Sequence, residues 1–305
     1  MPELPEVETI VRGLAPGIRG RTIDRVELLF KPLLRRGPKG GLAVLAGRRV
    51  LGVRRRGKMA LVECEGGTTL VFHLKMTGQL LLAAPGAEPP DKHTRLAVKF
   101  RDGGPELRFR DIRKFGFLLC VRGDPEAGCA ELSCLGPEPL GLGLEDFAQA
   151  LGKRKGRVKG VLLDQTVIAG IGNIYADEML FDSGIHPETP AAALSKDDMA
   201  RLWGAMDKVL SAAIEAKGSS LRDYVDADGR AGEFQLSHKV YDREGEPCVR
   251  CGRPIKRTVV GGRGTHFCPH CQPRRGGMSP GSRRLLGSET PPRPGKTAGG
   301  VPPTV

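Results

Sequence analysis

The second and third residues of the chain are Pro2 and Glu3. An initiator methionine is usually removed when a small residue follows it, so processing of Met1 would leave Pro2 as a free secondary amine. A terminal amine titrates near pH ~8, well below a lysine, and a usable fraction is unprotonated at neutral pH. Its attack on an aldehyde-like carbon gives a cationic iminium directly, which places it with the Schiff-base amines of covalent catalysis. Taken alone, Met-Pro-Glu is far more often an ordinary helix start, because proline is favoured in a first turn.

A second chemical signal lies near the other end. Cys248-Val-Arg-Cys251 and Cys268-Pro-His-Cys271 are two CxxC pairs with sixteen residues between them. This spacing suits a tetrahedral four-thiolate zinc site made of two knuckles. Four protein ligands leave no open position, so the expectation is one structural Zn2+ that folds its module and does no chemistry, with no organic cofactor. His266 and His270 read as neighbours of the site rather than ligands. A rival assigns Pro247-Cys248-Val-Arg-Cys251 and His186-Pro187-Glu188 to a zinc deaminase. It leaves Cys268 and Cys271 without a role and separates its halves by about sixty residues. Cys64, Cys120, Cys129 and Cys134 have no ligand-like pairing and read as small apolar or incidental thiols.

These groups need elements to hold them. The 305 residues suffice for about two domains, and the net charge of +13 is the footprint of a nucleic-acid binder. The last 34 residues carry +5 of it, which leaves +8 on the body. Leu4, Val7, Val11 and Leu14 share one helical face, with Gly13, Pro16 and Gly17 expected to end that helix. Ile23–Leu29, Arg49–Val53, Leu61–Cys64, Leu70–Leu74, Leu96–Phe100 and Phe117–Val121 are short, partly alternating segments of an antiparallel sandwich or barrel. A Gly/Pro-rich passage from Leu135 to Gly143 reads as a linker. Asp146–Gly152, Val158–Leu163, Asn173–Ser183 and Lys196–Ala216 carry helical periodicity. From Pro273 onward the composition cannot bury enough to fold. No signal peptide and no apolar run of the ~20 residues needed to span a bilayer is seen. The expectation is a soluble, cytoplasmic, nucleoid-associated protein.

The opening Met-Pro-Glu-Leu-Pro-Glu-Val-Glu-Thr and the terminal cysteine module resemble the bacterial formamidopyrimidine-DNA glycosylases, which excise oxidised purines from DNA. Further matches follow in the family's order: Arg55-Arg-Gly-Lys58, His73-Leu-Lys-Met-Thr-Gly78, Asp111-Ile-Arg-Lys-Phe-Gly116, Gly170-Ile-Gly-Asn-Ile-Tyr-Ala-Asp-Glu178 and Gly262-Arg-Gly-Thr-His-Phe-Cys268. The resemblance covers residues 1–272. It implies an α+β multidomain fold: an N-terminal β-sandwich with its helix (1–135), a linker (136–152), a helix-two-turn-helix domain (153–235) and a zinc finger (236–272). A disordered basic tail (273–305) lies outside it.

The resemblance implies that Pro2 is the nucleophile, Glu3 its acid/base partner, and Lys58 a group reaching the damaged nucleotide and its phosphate. Glu6 matches a further acidic residue, with helix surface an equal alternative. Arg54–Arg56 read as a solvated face, with phosphate contact as the lesser alternative. Arg263 and Asn173 are implied phosphate ligands, the latter in a Gly-rich turn whose backbone N–H groups could form an anion nest. His93, Arg113, Lys155 and Tyr241 are further DNA contacts. Met76, Arg113 and Phe115 match the residues that fill the hole left by an extruded base, although a methionine and a phenylalanine in β segments are more often core. Lys75 and Asp242 stand where glycine is usual, and Ala216-Lys217-Gly218 replaces a more glycine-rich loop start. The implied partner is duplex DNA with oxidised bases or abasic sites, bound by a monomer. The alternatives are an endonuclease VIII-like enzyme for oxidised pyrimidines and a catalytically silent DNA-binding protein.

Overall fold

The computed structural model describes residues 1–274, so the expected tail lies almost wholly outside the described residues. Helix α1 (Leu4–Ile18) opens the chain, with Pro5 in its first turn and a capping box in which the Glu3 backbone N–H donates to Glu6 Oε2 at 2.8 Å. Val7, Ile10, Val11, Leu14 and Ile18 recur at helical spacing and enter the main core. The helix runs through Gly13 and Pro16 and ends at Ile18, one residue past the expected stop at Gly17. Burial of Ile18 outweighs the weak helix propensity of the glycines and Pro16.

Nine strands follow: β1 (Ile23–Leu28), β2 (Leu34–Arg36), β3 (Val50–Arg56), β4 (Met59–Cys64), β5 (Thr68–His73), β6 (Gly78–Ala83), β7 (Thr94–Phe100), β8 (Glu106–Asp111) and β9 (Phe117–Arg122). They form two sheets, ordered β1-β7-β8-β6 and β2-β9-β5-β4-β3, antiparallel except for the β2–β9 pair. Leu80, Val98, Leu107 and Phe109 of the first sheet meet Val62, Leu70, Phe72 and Leu118 of the second in one core. The other face of β4, β5 and β9 is covered too. Leu61, Val71 and Leu119 pack with Cys129, the residue between the short helices α2 (Pro125–Gly128) and α3 (Ala130–Ser133), and with Leu132 of α3. Burial on both faces is why these strands lack clean alternation. β2, β6 and β8 escaped the sequence reading. β2 is three residues long, and β6 and β8 carry polar residues on a face that water reaches.

The helical part comprises α4 (Leu144–Gly152), α5 (Val158–Leu163), α6 (Asn173–Ser183) and α7 (Lys196–Glu215). The segment 136–152, read as a linker, thus contains α4, whose Phe147 and Leu151 are buried in the helical core. Hairpin β10 (Lys256–Val260) and β11 (Arg263–Phe267) is the last element among the described residues and docks on α6. No helix among the described residues is long and apolar enough to cross a membrane.

Arg54–Arg56 are not a solvated face. Arg55 pairs with Glu8 at 2.8 Å and with Glu138, and Arg56 pairs with Glu138 at 3.1 Å and donates to the Leu135 and Gly136 carbonyls. Glu138 also accepts the Gly57 N–H at 2.6 Å. One carboxylate thus clamps the end of β3 to the passage that leads into the helices. Removing it leaves two arginines without their shared partner. Glu138→Ala should cost roughly 2–4 kcal/mol of unfolding free energy, read from urea melts, and Glu8→Ala should cost less, because Glu8 pairs with Arg55 and otherwise only with the exposed Arg12.

Candidate active site and metal centre

The N-terminus lies between the sandwich and the helices. Pro2 is buried beneath Met1, which is itself half exposed. The Leu4 N–H donates to the Gly170 carbonyl at 3.0 Å. The Glu3 carboxylate accepts the Ile174 N–H at 3.1 Å and the Tyr175 N–H at 3.5 Å, in the first turn of α6. This changes the reading of the Gly170–Asn173 turn. Its helix N-terminus is taken by Glu3, and the glycines make that possible. A Cβ on Gly172 would lie 2.1 Å from the Glu3 carboxyl carbon, and one on Gly170 would strike Leu4.

Glu3 is fully buried, and desolvation pushes its pKa up to about 7 against the attraction of Lys58 and the two backbone donors. Glu6 is buried as well, so it is not helix surface. It accepts the Glu3 and Ser219 N–H groups, both at 2.8 Å, and the Tyr175 hydroxyl, and burial raises its pKa too.

Lys58 is the second residue of the two-residue turn between β3 and β4, after Gly57 at φ 56°. Glycine is the residue such hairpin turns require at their first central position. The ammonium has no carboxylate within 4.0 Å among the described residues, although it feels Glu3 and Glu6 electrostatically, and burial lowers its pKa. Arg263 repels it electrostatically. That arginine is exposed just past the Gly261-Gly262 turn of the β10–β11 hairpin, where both glycines have positive φ.

Met76 lies between β5 and β6, and Arg113 and Phe115 between β8 and β9. All three are exposed rather than core. Arg113 Nη1 lies 3.2 Å from the Met76 sulfur, and its guanidinium sits 4.7 Å from the Phe115 ring centroid. Buried Asp111 organises both turns. It accepts the Thr77 hydroxyl at 2.5 Å and the Gly116 N–H at 2.8 Å. The His93 carbonyl in turn accepts the Asp111 N–H at 2.9 Å, which sets half-exposed His93 beside them. A cavity of about 370 Å³ opens here, lined by Met1, Met76, Arg113, Ser219, Tyr224 and Tyr241.

Asn173 heads α6 and donates to the Gly264 carbonyl at 3.0 Å. Lys155 stays exposed between α4 and α5, without a side-chain hydrogen bond or ion pair among the described residues. The lysine that does enter is Lys159. Fully buried, it pairs with Asp177 at 2.7 Å and donates to the Gly264 carbonyl and Thr265 Oγ1. Asp177 also accepts the His266 N–H at 2.9 Å. Sequence reading missed Lys159, Asp111 and Asp177 as organisers, because nothing local marks a buried lysine or aspartate before its partner is known.

Cys248, Cys251, Cys268 and Cys271 place their sulfurs within 4.8 Å of one another. The Cys248–Cys271 and Cys251–Cys268 separations are 3.8 and 3.6 Å. A tetrahedron of Zn–S bonds near 2.3 Å has edges of about 3.8 Å, so this donor set fits zinc. The Arg250 and Cys271 N–H groups point at the Cys248 and Cys268 sulfurs. His186 packs on Phe267 instead and is not a ligand, which removes the deaminase alternative.

The sequence profile of the formamidopyrimidine-DNA glycosylase N-terminal domain matches residues 1–118, that of its H2TH domain 135–225, and that of the zinc finger found in FPG and IleRS 245–274. The formamidopyrimidine-DNA glycosylase of Solibacter usitatus is 49% identical over 275 residues, 90% of this chain and 100% of that one. The chain belongs to the formamidopyrimidine-DNA glycosylase family. The crystal structure of the MutM (FPG) protein from Thermus thermophilus superposes with a TM-score of 0.79 at 44% identity, covering 89% of this chain and 98% of that one. A Lactococcus lactis FPG mutant, solved with Fapy-dG-containing DNA, gives 0.82 at 37% identity, covering 90% and 100%. As the family's finger requires, the four thiolates hold one structural zinc.

Metal analysis should find one zinc per chain. Cys268→Ser with Cys271→Ser should abolish zinc retention and release the β10–β11 hairpin, read as new amide-exchange exposure at 256–267. Glu3 supplies a pH test. Its carboxyl ordinarily titrates near 4.5 and here near 7. Below 4.5 it is neutral in both states. As pH rises through 7 the unfolded chain has already released the proton, so the stability held by the neutral form is lost. Glu3→Gln stays neutral. Its stability advantage over the parent should grow from pH 5.5 to 8.5, toward the order of 3 kcal/mol, in paired urea melts.

Proposed function

We propose that the protein is a bifunctional DNA glycosylase and AP lyase that excises oxidised purines, 8-oxoguanine and formamidopyrimidines, from duplex DNA in base excision repair. The carrying observation is Glu3, a buried carboxyl with a pKa near 7 that directly follows Pro2 and feels Lys58. A group poised near neutrality is suited to both giving and taking a proton.

Loss of Met1, which lines the cavity, frees the Pro2 nitrogen. The amine attacks C1′ of the extruded nucleotide, the glycosidic bond breaks, and the base leaves with a proton. Glu3 protonates the ring oxygen as the sugar opens, which yields the Pro2 iminium. That cation acidifies the adjacent C2′ proton, and β- then δ-elimination expels the 3′ and 5′ phosphates. Lys58 and Arg263 hold the phosphate of the extruded nucleotide, with Asn173 and Tyr241 beside them and His93 and Lys155 as outer contacts. Met76, Arg113 and Phe115 occupy the gap in the stack, a task for which their exposure and mutual contact equip them. The zinc orients the hairpin that carries Arg263 and supplies no chemistry. The enzyme works as a monomer in the cytoplasm, on nucleoid DNA.

Borohydride should trap protein on a duplex carrying 8-oxoguanine opposite cytosine. An uncleavable N-terminal extension should abolish trapping while DNA binding persists. Glu3→Gln should lose base removal by a factor of 100 or more yet still react at a preformed abasic site. Faster excision of thymine glycol than of 8-oxoguanine would assign the pyrimidine branch, and binding without trapping would assign a silent scaffold.

A further inference from the structure

Phe117, the first residue of β9, carries two cations on one ring. The Arg35 guanidinium of β2 lies 4.2 Å from the ring centroid, and the Lys75 ammonium lies 5.5 Å from it. Neither has a carboxylate within 4.0 Å among the described residues. Glu131, which both Arg35 and Arg36 attract at longer range, is engaged with the Cys129 thiol. Lys75 also repels Lys58, and Arg35 repels Lys75. Three positive charges thus run from the β3–β4 turn across Phe117 to the sheet edge.

The backbone at Lys75 adds a second cost. It adopts φ 52°, the left-handed region where a glycine is at ease and a lysine is strained. Its N–H donates to His73 Nδ1 at 3.0 Å, which locks the turn that presents Met76. A strained residue that brings uncompensated charge toward other cations is held there at the expense of stability, and such strain gathers at ligand sites. The ring lessens the repulsion by cation–π attraction without neutralising either charge.

We propose that Lys75 and Arg35, seated on Phe117, form an additional phosphodiester subsite that extends the DNA track beyond Lys58 by one phosphate. The ligand is the backbone of duplex DNA, read by charge alone, so the subsite adds affinity without sequence or lesion preference. The assignment rests on the DNA-binding function proposed above but not on its chemistry.

The test is binding of undamaged duplex across a salt series, using full-length zinc-loaded protein. Removing one phosphate-neutralising cation should reduce the slope of log K against log salt by about 0.9 and weaken binding on the order of tenfold near 0.1 M salt. Lys75→Gln and Arg35→Gln should each show this loss, and Lys75→Arg should restore it. Lys75→Gly should weaken binding equally while raising Tm by about 2 °C, because it relieves the left-handed strain. A role in folding alone would move stability and affinity together. Parental slope and affinity in Lys75→Gln and Arg35→Gln would overturn the subsite. Failure of the parent to trap on 8-oxoguanine would overturn the glycosylase assignment and leave these slopes unaffected.

Discussion

The site depends on one contact, the Glu3 carboxylate against the first turn of α6. It draws the N-terminus out of the sandwich and pins it to the helical part. The contact is energetically double-edged. Two backbone donors and the positive end of the helix favour the ionised carboxyl, whereas full burial disfavours it more strongly, and burial prevails. The result is a carboxyl held between its two protonation states near neutral pH. Gly170 and Gly172 are part of that balance, since the contact exists only because neither bears a side chain. Glu6, one turn into α1, extends the arrangement by joining the Glu3 backbone to Tyr175 and the root of the loop at Ser219.

Helix α6 distributes the consequences. Three acidic residues along it each hold a different part of the zinc module. Asp177 binds Lys159 and the His266 N–H, and Glu178 accepts the N–H groups of Lys239, Val240 and Tyr241. Asp182 meets Lys208, Lys239 and Arg250. Buried carboxylates are tolerated only when fully engaged, and here the engagement sets where the hairpin and Arg263 stand. Zinc fixes the module internally, and α6 fixes it to the rest of the protein.

Among the described residues, four other than glycine have positive φ: Lys75, Lys114, Lys217 and Asp242. Lys75 and Lys114 sit in the two turns that carry Met76, Arg113 and Phe115, and Asp242 and the loop after Lys217 border the cavity. The departures from glycine noted at Lys75 and Asp242, and the altered loop start at Lys217, are therefore strained turns around the site. At Lys75 the turn is held by its N–H, which donates to His73 Nδ1 at 3.0 Å.

Much of the architecture was readable from order and period. The extents of α5 and α6 coincide with the helical segments read from the sequence, and the cysteine pairs announce their tetrahedron, because ligand spacing within a knuckle is a local property. Position marked Pro2 as a potential terminal amine, and only the resemblance of the whole set of motifs paired it with Glu3. What sequence could not decide was which charges would be buried and with whom. Arg55 and Arg56 read as a solvated run and became a clamp on Glu138. Glu6 read as a possible surface residue and lies at the centre of a hydrogen-bond network. Lys159 gave no signal, because a buried ion pair is defined by a partner eighteen residues away and by the exclusion of water around both. Local patterns record propensity, whereas desolvation is a property of the assembled surfaces, so the protonation of Glu3 and the pairing of Lys159 were settled only when the helical part closed on the sandwich and the finger docked.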